Sequence, residues 1–112
     1  MDEARERIAT NIRKGVLEYC VLALLARREM YGLELADDLV ERGLTASEGS
    51  LYPLLARMQQ SGSVTSRREA RDGARPRKYY TLTDDGRAQL ATFAEVWGRI
   101  APQVDDTLGE KP

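Results

Sequence analysis

The sequence has no histidine, one cysteine, and one each of tryptophan and phenylalanine in 112 residues. Without imidazole the commonest general base and the commonest metal ligand are missing. Ser-His-Asp or Cys-His catalysis and the usual zinc sites therefore cannot be assembled from its own residues. No phosphate-cradling glycine motif is present either, so the expectation is a protein that is not an enzyme and holds no metal and no cofactor. A lone Cys20 cannot form an intrachain disulfide, and inside the run Val16 to Ala26 it reads as a small core hydrophobe. That run, about eleven residues and broken by Glu18, is too short for the roughly 20 residues of a membrane span. The opening residues, Met1-Asp2-Glu3-Ala4-Arg5-Glu6-Arg7, mix both charge signs and lack the layout of a signal peptide, so the cytoplasm is the expected compartment.

Net charge is also scarce. Lys and Arg number 17 and Asp and Glu 18, leaving −1, which rules out a uniformly basic polyanion binder. The distribution is uneven. Residues 47–80 hold seven basic and three acidic side chains, a local +4, whereas residues 1–46 sum to −2 and residues 81–112 to −3. Phosphate contact needs only such a local patch. The length favours one domain with a modest core.

Helical periodicity is strong in three places. Ile12, Val16, Tyr19, Cys20, Ala23 and Leu24 recur at three- and four-residue steps, giving a heavily buried first helix over about 8–28. A second, about 31–42, carries Leu35, Ala36, Leu39 and Val40 and stops at Gly43. In the third, about 48–61, Leu51, Leu54, Leu55 and Met58 share one face, and Gly62 lies at the cap position. Its opposite face presents Ser50, Tyr52, Pro53, Ala56, Arg57 and Gln60. Pro53 requires the regular turns to begin near Ser50, with a loosely wound entry from Ser47 to Gly49.

Two β-rich runs, about 64–69 and 77–82, flank an Asp72-Gly73 turn signal and predict a two-stranded hairpin with an Arg-rich tip. Val64, Tyr80 and Leu82 share the face that must lean on the helices. Thr83 caps a final helix over 83–108 whose Leu90, Phe93, Trp97, Ile100 and Val104 step by 3, 4, 3 and 4, the seam of two helices wound together. Pro102 is expected to bend or end that helix near Ala101, leaving residues from Asp105 frayed and 109–112 disordered.

Three helices followed by a hairpin is the order of a winged helix-turn-helix, in which the third helix enters the DNA major groove and the hairpin touches the backbone. The predicted fold is mainly α with a small β-hairpin, residues 1–82 forming the winged-helix domain and 83–108 a C-terminal dimerisation helix. Arg13-Lys14-Gly15-Val16-Leu17-Glu18, Met30-Tyr31-Gly32, Ser47-Glu48-Gly49-Ser50-Leu51-Tyr52-Pro53-Leu54-Leu55-Ala56-Arg57-Met58 and Pro76-Arg77-Lys78-Tyr79-Tyr80-Thr81-Leu82-Thr83 with Gly86-Arg87 resemble the PadR family of bacterial transcriptional regulators. The match runs from about Ile12 to Ile100, and the single C-terminal helix resembles the small subfamily.

That resemblance implies a homodimer that binds double-stranded operator DNA, represses a nearby promoter and is released by a small-molecule effector. It places Ser47, Ser50, Tyr52, Pro53 and Arg57 on the groove-facing helix, Arg75, Arg77 and Lys78 on the wing, and Arg13 and Lys14 near phosphates. Leu90, Phe93, Ala94, Trp97, Ile100 and Val104 form the dimer interface, and Trp97 matches a position where some small members stack a flat aromatic or cationic ligand. Plainer roles stay open: Tyr52 packing on the wing's base, the wing arginines as a solvated loop, Trp97 as interface packing alone, and the whole domain as a protein-protein interaction module without DNA.

Overall fold

Asp2 sits in extended backbone, and its carboxylate accepts hydrogen bonds from the N–H groups of Ala4 and Arg5 at 3.0 and 3.4 Å. This satisfies donors that a first helical turn leaves without internal partners. In the computed structural model, which describes residues 2–45 and 48–109, helix α1 accordingly runs Glu3–Arg27, starting ahead of the expected residue 8. The extra turns carry no apolar stripe, so periodicity could not reveal them. Only the C-terminal half of α1 is core: Val21, Leu22, Leu24 and Leu25 are buried, whereas Ile8 and Ile12 are 57% and 60% exposed and Ala23 faces solvent. The expected burial along the whole helix is corrected to that half. Cys20 is half-buried, and burial pushes its thiol pKa up.

Met30–Tyr31 forms a short strand, β1. It runs straight into α2, Gly32–Glu41, where the Glu34 carboxylate accepts from the Tyr31 N–H at 3.1 Å. Gly43 takes the left-handed conformation expected of a stop. A 3₁₀ turn, Glu48–Ser50, supplies the loosely wound entry to α3, Leu51–Ser61. Pro53 falls in the first turn of α3, where a missing N–H has little cost. Leu51, Leu54, Leu55 and Met58 are buried, and Gly62, with φ of +92°, closes the helix.

Strands β2, Val64–Glu69, and β3, Arg77–Leu82, pair antiparallel with Val64 opposite Leu82 and Ser66 opposite Tyr80. The predicted two-stranded hairpin is in fact the larger part of a three-stranded sheet in the order β1-β3-β2, because Met30 and Tyr31 pair with Tyr80 and Tyr79. Two residues are too few to show a period of two, which is why β1 escaped notice. Val64, Tyr80 and Leu82 lie in the core as a shared face requires. Tyr79 points the other way yet is also buried. Its ring is covered by the Arg71 guanidinium at 3.7 Å and meets Tyr31 edge-on at 5.5 Å.

Thr83 Oγ1 accepts from the Gly86 N–H at 3.0 Å and donates to the Gly62 carbonyl at 2.7 Å, so one side chain caps the last helix and ties it to the end of α3. Helix α4 then runs Asp84–Leu108 without ending at Pro102. Gly98, four residues earlier, leaves open space where its side chain would be, so the backbone is free to yield to the proline ring. An end near Ala101 and the fraying from Asp105 are thus corrected: the helix stops at Gly109, whose φ is +64°. Of the expected tail 109–112, residues 110–112 lie outside the described residues. Against α1, Phe93 stacks on Tyr19 with ring centroids 4.5 Å apart, and Leu90 packs against the core.

Candidate nucleic-acid interface

Because the buried residues of α3 occupy one stripe, Tyr52, Pro53, Ala56, Arg57 and Gln60 are left together on its outer face, all exposed. Ser50, also exposed, ends the 3₁₀ turn and its hydroxyl lies 3.1 Å from that of Thr45, so it braces the entry to the helix. Ser47 lies outside the described residues. Tyr52 is placed by Gly32: a Cβ on Gly32 would lie 2.6 Å from Tyr52 Cε1 and 3.1 Å from its hydroxyl. The ring therefore rests on the start of α2 while its outer side is open, at 42% exposure. The packing of Tyr52 is thus against the start of α2, and its outer side faces outward. Burial, with the Glu48 and Asp37 carboxylates adding to it, pushes its hydroxyl pKa up, so it stays a donor.

Of the wing's six cations, Arg67, Arg68, Arg71, Arg75, Arg77 and Lys78, two are neutralised within the chain. Arg67 and Arg71 are held by carboxylates: Arg67 Nη1 lies 2.7 Å from Glu29 Oε1, Arg71 Nη2 donates to Glu29 Oε2 at 3.0 Å, and Arg71 Nε donates to Glu69 Oε2 at 3.1 Å. Hydrogen bonds from Arg67, assisted by Arg71, hold the Glu29 carboxyl at a pKa of about 2. Glu69 is likewise held below the usual carboxylate range, mainly by Arg71. These four charges cancel and fasten the wing to the turn between α1 and β1. Arg75, Arg77 and Lys78 are exposed, and no carboxylate pairs with them among the described residues. The Arg77 guanidinium lies 4.4 Å over Tyr31 and Lys78 Nζ 5.7 Å from the Tyr80 ring.

Arg13 and Lys14 differ. Arg13 Nε donates to the Gly43 carbonyl at 3.0 Å and Nη1 to Glu6 at 3.2 Å, so its guanidinium braces the α2–α3 loop. Lys14 is exposed and lines a hollow with Thr45 and Ser50. Arg57 is exposed on α3. On α4, Ala94, Trp97, Ile100 and Val104 are exposed, with Phe93 stacked on Trp97 at 5.8 Å, whereas Leu90 and Phe93 are partly engaged inside the chain.

Sequence reasoning missed Glu29, Tyr31, Gly32 and Tyr80 as parts of this surface. Glu29 reaches partners 38 and 42 residues away, and no local pattern reports such a contact. A cleft between α2, α3 and β3 is lined by Tyr31, Gly32, Leu33, Tyr52, Ala56, Arg77, Lys78 and Tyr80. Among the described residues no helix is long and apolar enough to cross a membrane, and no group of metal-ligating side chains occurs.

Comparison with known proteins agrees with this geometry. Residues 21–92 match the Transcriptional regulator PadR-like family. The crystal structure of a PadR-like transcriptional regulator from Bacillus cereus is similar with a TM-score of 0.83 at 40% identity, covering 90% of this chain and 99% of that one. A PadR family transcriptional regulator from Eggerthella lenta gives 0.85 at 30% identity, covering 98% and 96%. The negative transcriptional regulator PadR of Bacillus subtilis is 31% identical over 67% of this chain and 43% of its own length.

Proposed function

The chain belongs to the PadR-like family of transcriptional regulators, and from that premise we propose that it is a sequence-specific DNA-binding protein that acts as a homodimer, represses its target promoter and is released by a small ligand. The observation that carries the DNA-binding part is the placement of Tyr52 and Ala56 on the exposed α3 face beside Arg77 and Lys78, two wing cations that no carboxylate neutralises among the described residues. A helix face of that width fits the major groove, and cations to one side of it reach the phosphates. The near-neutral total charge is no obstacle, because the compensating acids lie elsewhere in the chain.

The homodimer reading rests on α4, whose outer row of Trp97, Ile100 and Val104 has nothing over it in a single chain. Trp97 is the position at which a flat aromatic or cationic effector would stack, since an indole face attracts both kinds of molecule. Such an effector releases DNA only if it prefers a dimer whose two α3 helices are misplaced for the groove; equal affinity for both forms shifts nothing.

Sequencing genomic fragments retained by the purified protein identifies the operator, which should contain two half-sites centred about 34 to 36 Å apart. Titration at several salt concentrations then separates the roles. Arg75→Ala, Arg77→Ala and Lys78→Ala should each weaken binding to every sequence and flatten the salt slope by about one unit, while Tyr52→Ala should reduce preference for the operator. Wing variants with an unchanged slope would place those cations in solvent. Retention of no DNA at all would return the fold to a protein-interaction module.

A further inference from the structure

We propose that the cleft between α2, α3 and β3 is a seat for one phosphate of the DNA backbone, with the Tyr80 hydroxyl as its innermost donor. This rests on the DNA-binding reading above and adds a site to it. Tyr80 carries the inference. Its side chain is 6% exposed, its ring belongs to the core, and it lines the cleft. Its hydroxyl has no hydrogen-bond partner among the described residues, yet no side-chain oxygen there is sealed from solvent without one. A phenol buried to this degree and left open at its tip is a donor waiting for an acceptor, because buried polar groups are otherwise paired.

The surroundings define the acceptor's charge. Gly32 and Leu33, which line the cleft, open the ten-residue helix α2; Glu34 takes the Tyr31 N–H there, and the remaining first-turn N–H groups and the dipole favour an anion. Arg77 and Lys78 line the same cleft, and no carboxylate does. The Tyr52 hydroxyl lies close to the bare Gly32 Cα and adds a second phenolic donor. Burial, with Glu48 and Asp37 adding to it from outside the lining, keeps Tyr52 protonated. The donors are therefore two phenols, two cations and one helix start, a set that suits a tetrahedral oxyanion of low charge. The cleft is also continuous with the exposed face of α3 through Tyr52 and Ala56. A phosphate held there would fix the depth at which α3 enters the groove, and it would do so for every sequence, since phosphate contacts position and base contacts specify.

The test is a cycle between Tyr80→Phe, which removes only the hydroxyl, and DNA in which single phosphates are replaced by neutral methylphosphonates. In the native protein one methylphosphonate position per half-site should weaken binding by roughly tenfold, the loss expected of a hydrogen bond to a charged group. In Tyr80→Phe the affinity for unmodified DNA should fall by a similar factor, the ratio between operator and unrelated duplex should hold, and that same methylphosphonate should have no further effect. The melting temperature reports whether the variant still folds, and Gly32→Ala, which pushes Tyr52 off the helix start, provides an independent disturbance of the cleft. Affinity for DNA equal to the native value in Tyr80→Phe, or additive losses at every phosphate position, would overturn the seat while leaving DNA binding intact. A native protein that binds no duplex would overturn both. Millimolar inorganic phosphate that raises the native melting temperature but not that of Tyr80→Phe, together with additive DNA losses, would assign the cleft to a free anion instead of the backbone.

Discussion

At the scale of single residues, glycines with a neighbour in the way of a side chain fix the positions of larger groups. Gly86 is the tightest: a Cβ there would lie 2.2 Å from the Ser63 carbonyl oxygen and 2.6 Å from Leu82 Cδ1. The first atom is backbone and cannot turn aside, so the start of α4 must move away from the sheet. We expect Gly86→Ala to cost about 1 to 3 kcal/mol, as overpacking does, and to lower the melting temperature by several degrees in a thermal scan. An unchanged melting temperature would mean that α4 can slide on the sheet without loss. The sequence shows a glycine in that place but not what it approaches, because the approach is made by residues 63 and 82. Arg13 teaches the same lesson in reverse. Its charge is legible, and its destination, the Gly43 carbonyl 30 residues on, is not.

Elements were legible wherever apolar spacing was long and regular. Helices α2, α3 and α4, the hairpin strands and the caps at Gly43, Gly62 and Thr83 all stand close to where periodicity and turn chemistry put them. The misses have a common cause: β1, the first turns of α1 and the passage of α4 through Pro102 depend on pairing, capping or backbone freedom and leave no apolar signature. The cluster that fastens the wing to the turn after α1 is the clearest product of tertiary contact. Its energetics have a sign. The Glu29 carboxyl is depressed from 4.5 to about 2 by its arginine partners, so the stability it provides is complete above its unfolded value and is lost as the pH falls toward the folded one. Denaturant melts should therefore show unfolding free energy declining between about pH 4.5 and about 2 more steeply in the native chain than in Glu29→Gln. The same variant leaves Arg67 and Arg71 sharing Glu69 as their one remaining carboxylate partner among the described residues. Parallel declines in the two proteins would show that the cluster contributes nothing to stability.

The whole molecule is longer than its residue count suggests. Its Cα radius of gyration is 16.1 Å and its longest extent 55 Å, whereas a compact domain of about 100 residues has a radius near 13 Å. The excess comes from the ends of α1 and α4, which leave the core and carry Ile8, Ile12, Trp97, Ile100, Val104 and Leu108 with exposures from 45% upward, Leu108 reaching 71%. Apolar rows on two long helices without a core beneath them are what a single small chain avoids and what a twofold pair covers. A second copy is the occupant that the 3-4 stepping of the α4 row favours, since that stepping matches two helices wound together. Phe93 is a poor probe of this interface because it stacks on Tyr19 of its own chain, so its loss disturbs folding and association at once. Ile100 has no such tie and is 45% exposed. Light scattering should give twice the chain mass for the native protein and a single chain mass for Ile100→Asp, with the circular dichroism of the two alike. The Trp97 emission should shift to the red in the variant as the indole enters water. Operator affinity should fall with dimerisation, because each half-site then binds alone and the gain from a linked second contact is lost. A native protein that is monomeric at micromolar concentration and still holds both half-sites would require α4 to be covered by something other than its twin. A folded Ile100→Asp dimer would move the twofold contact away from this part of the helix, toward Ile8 and Ile12 on α1.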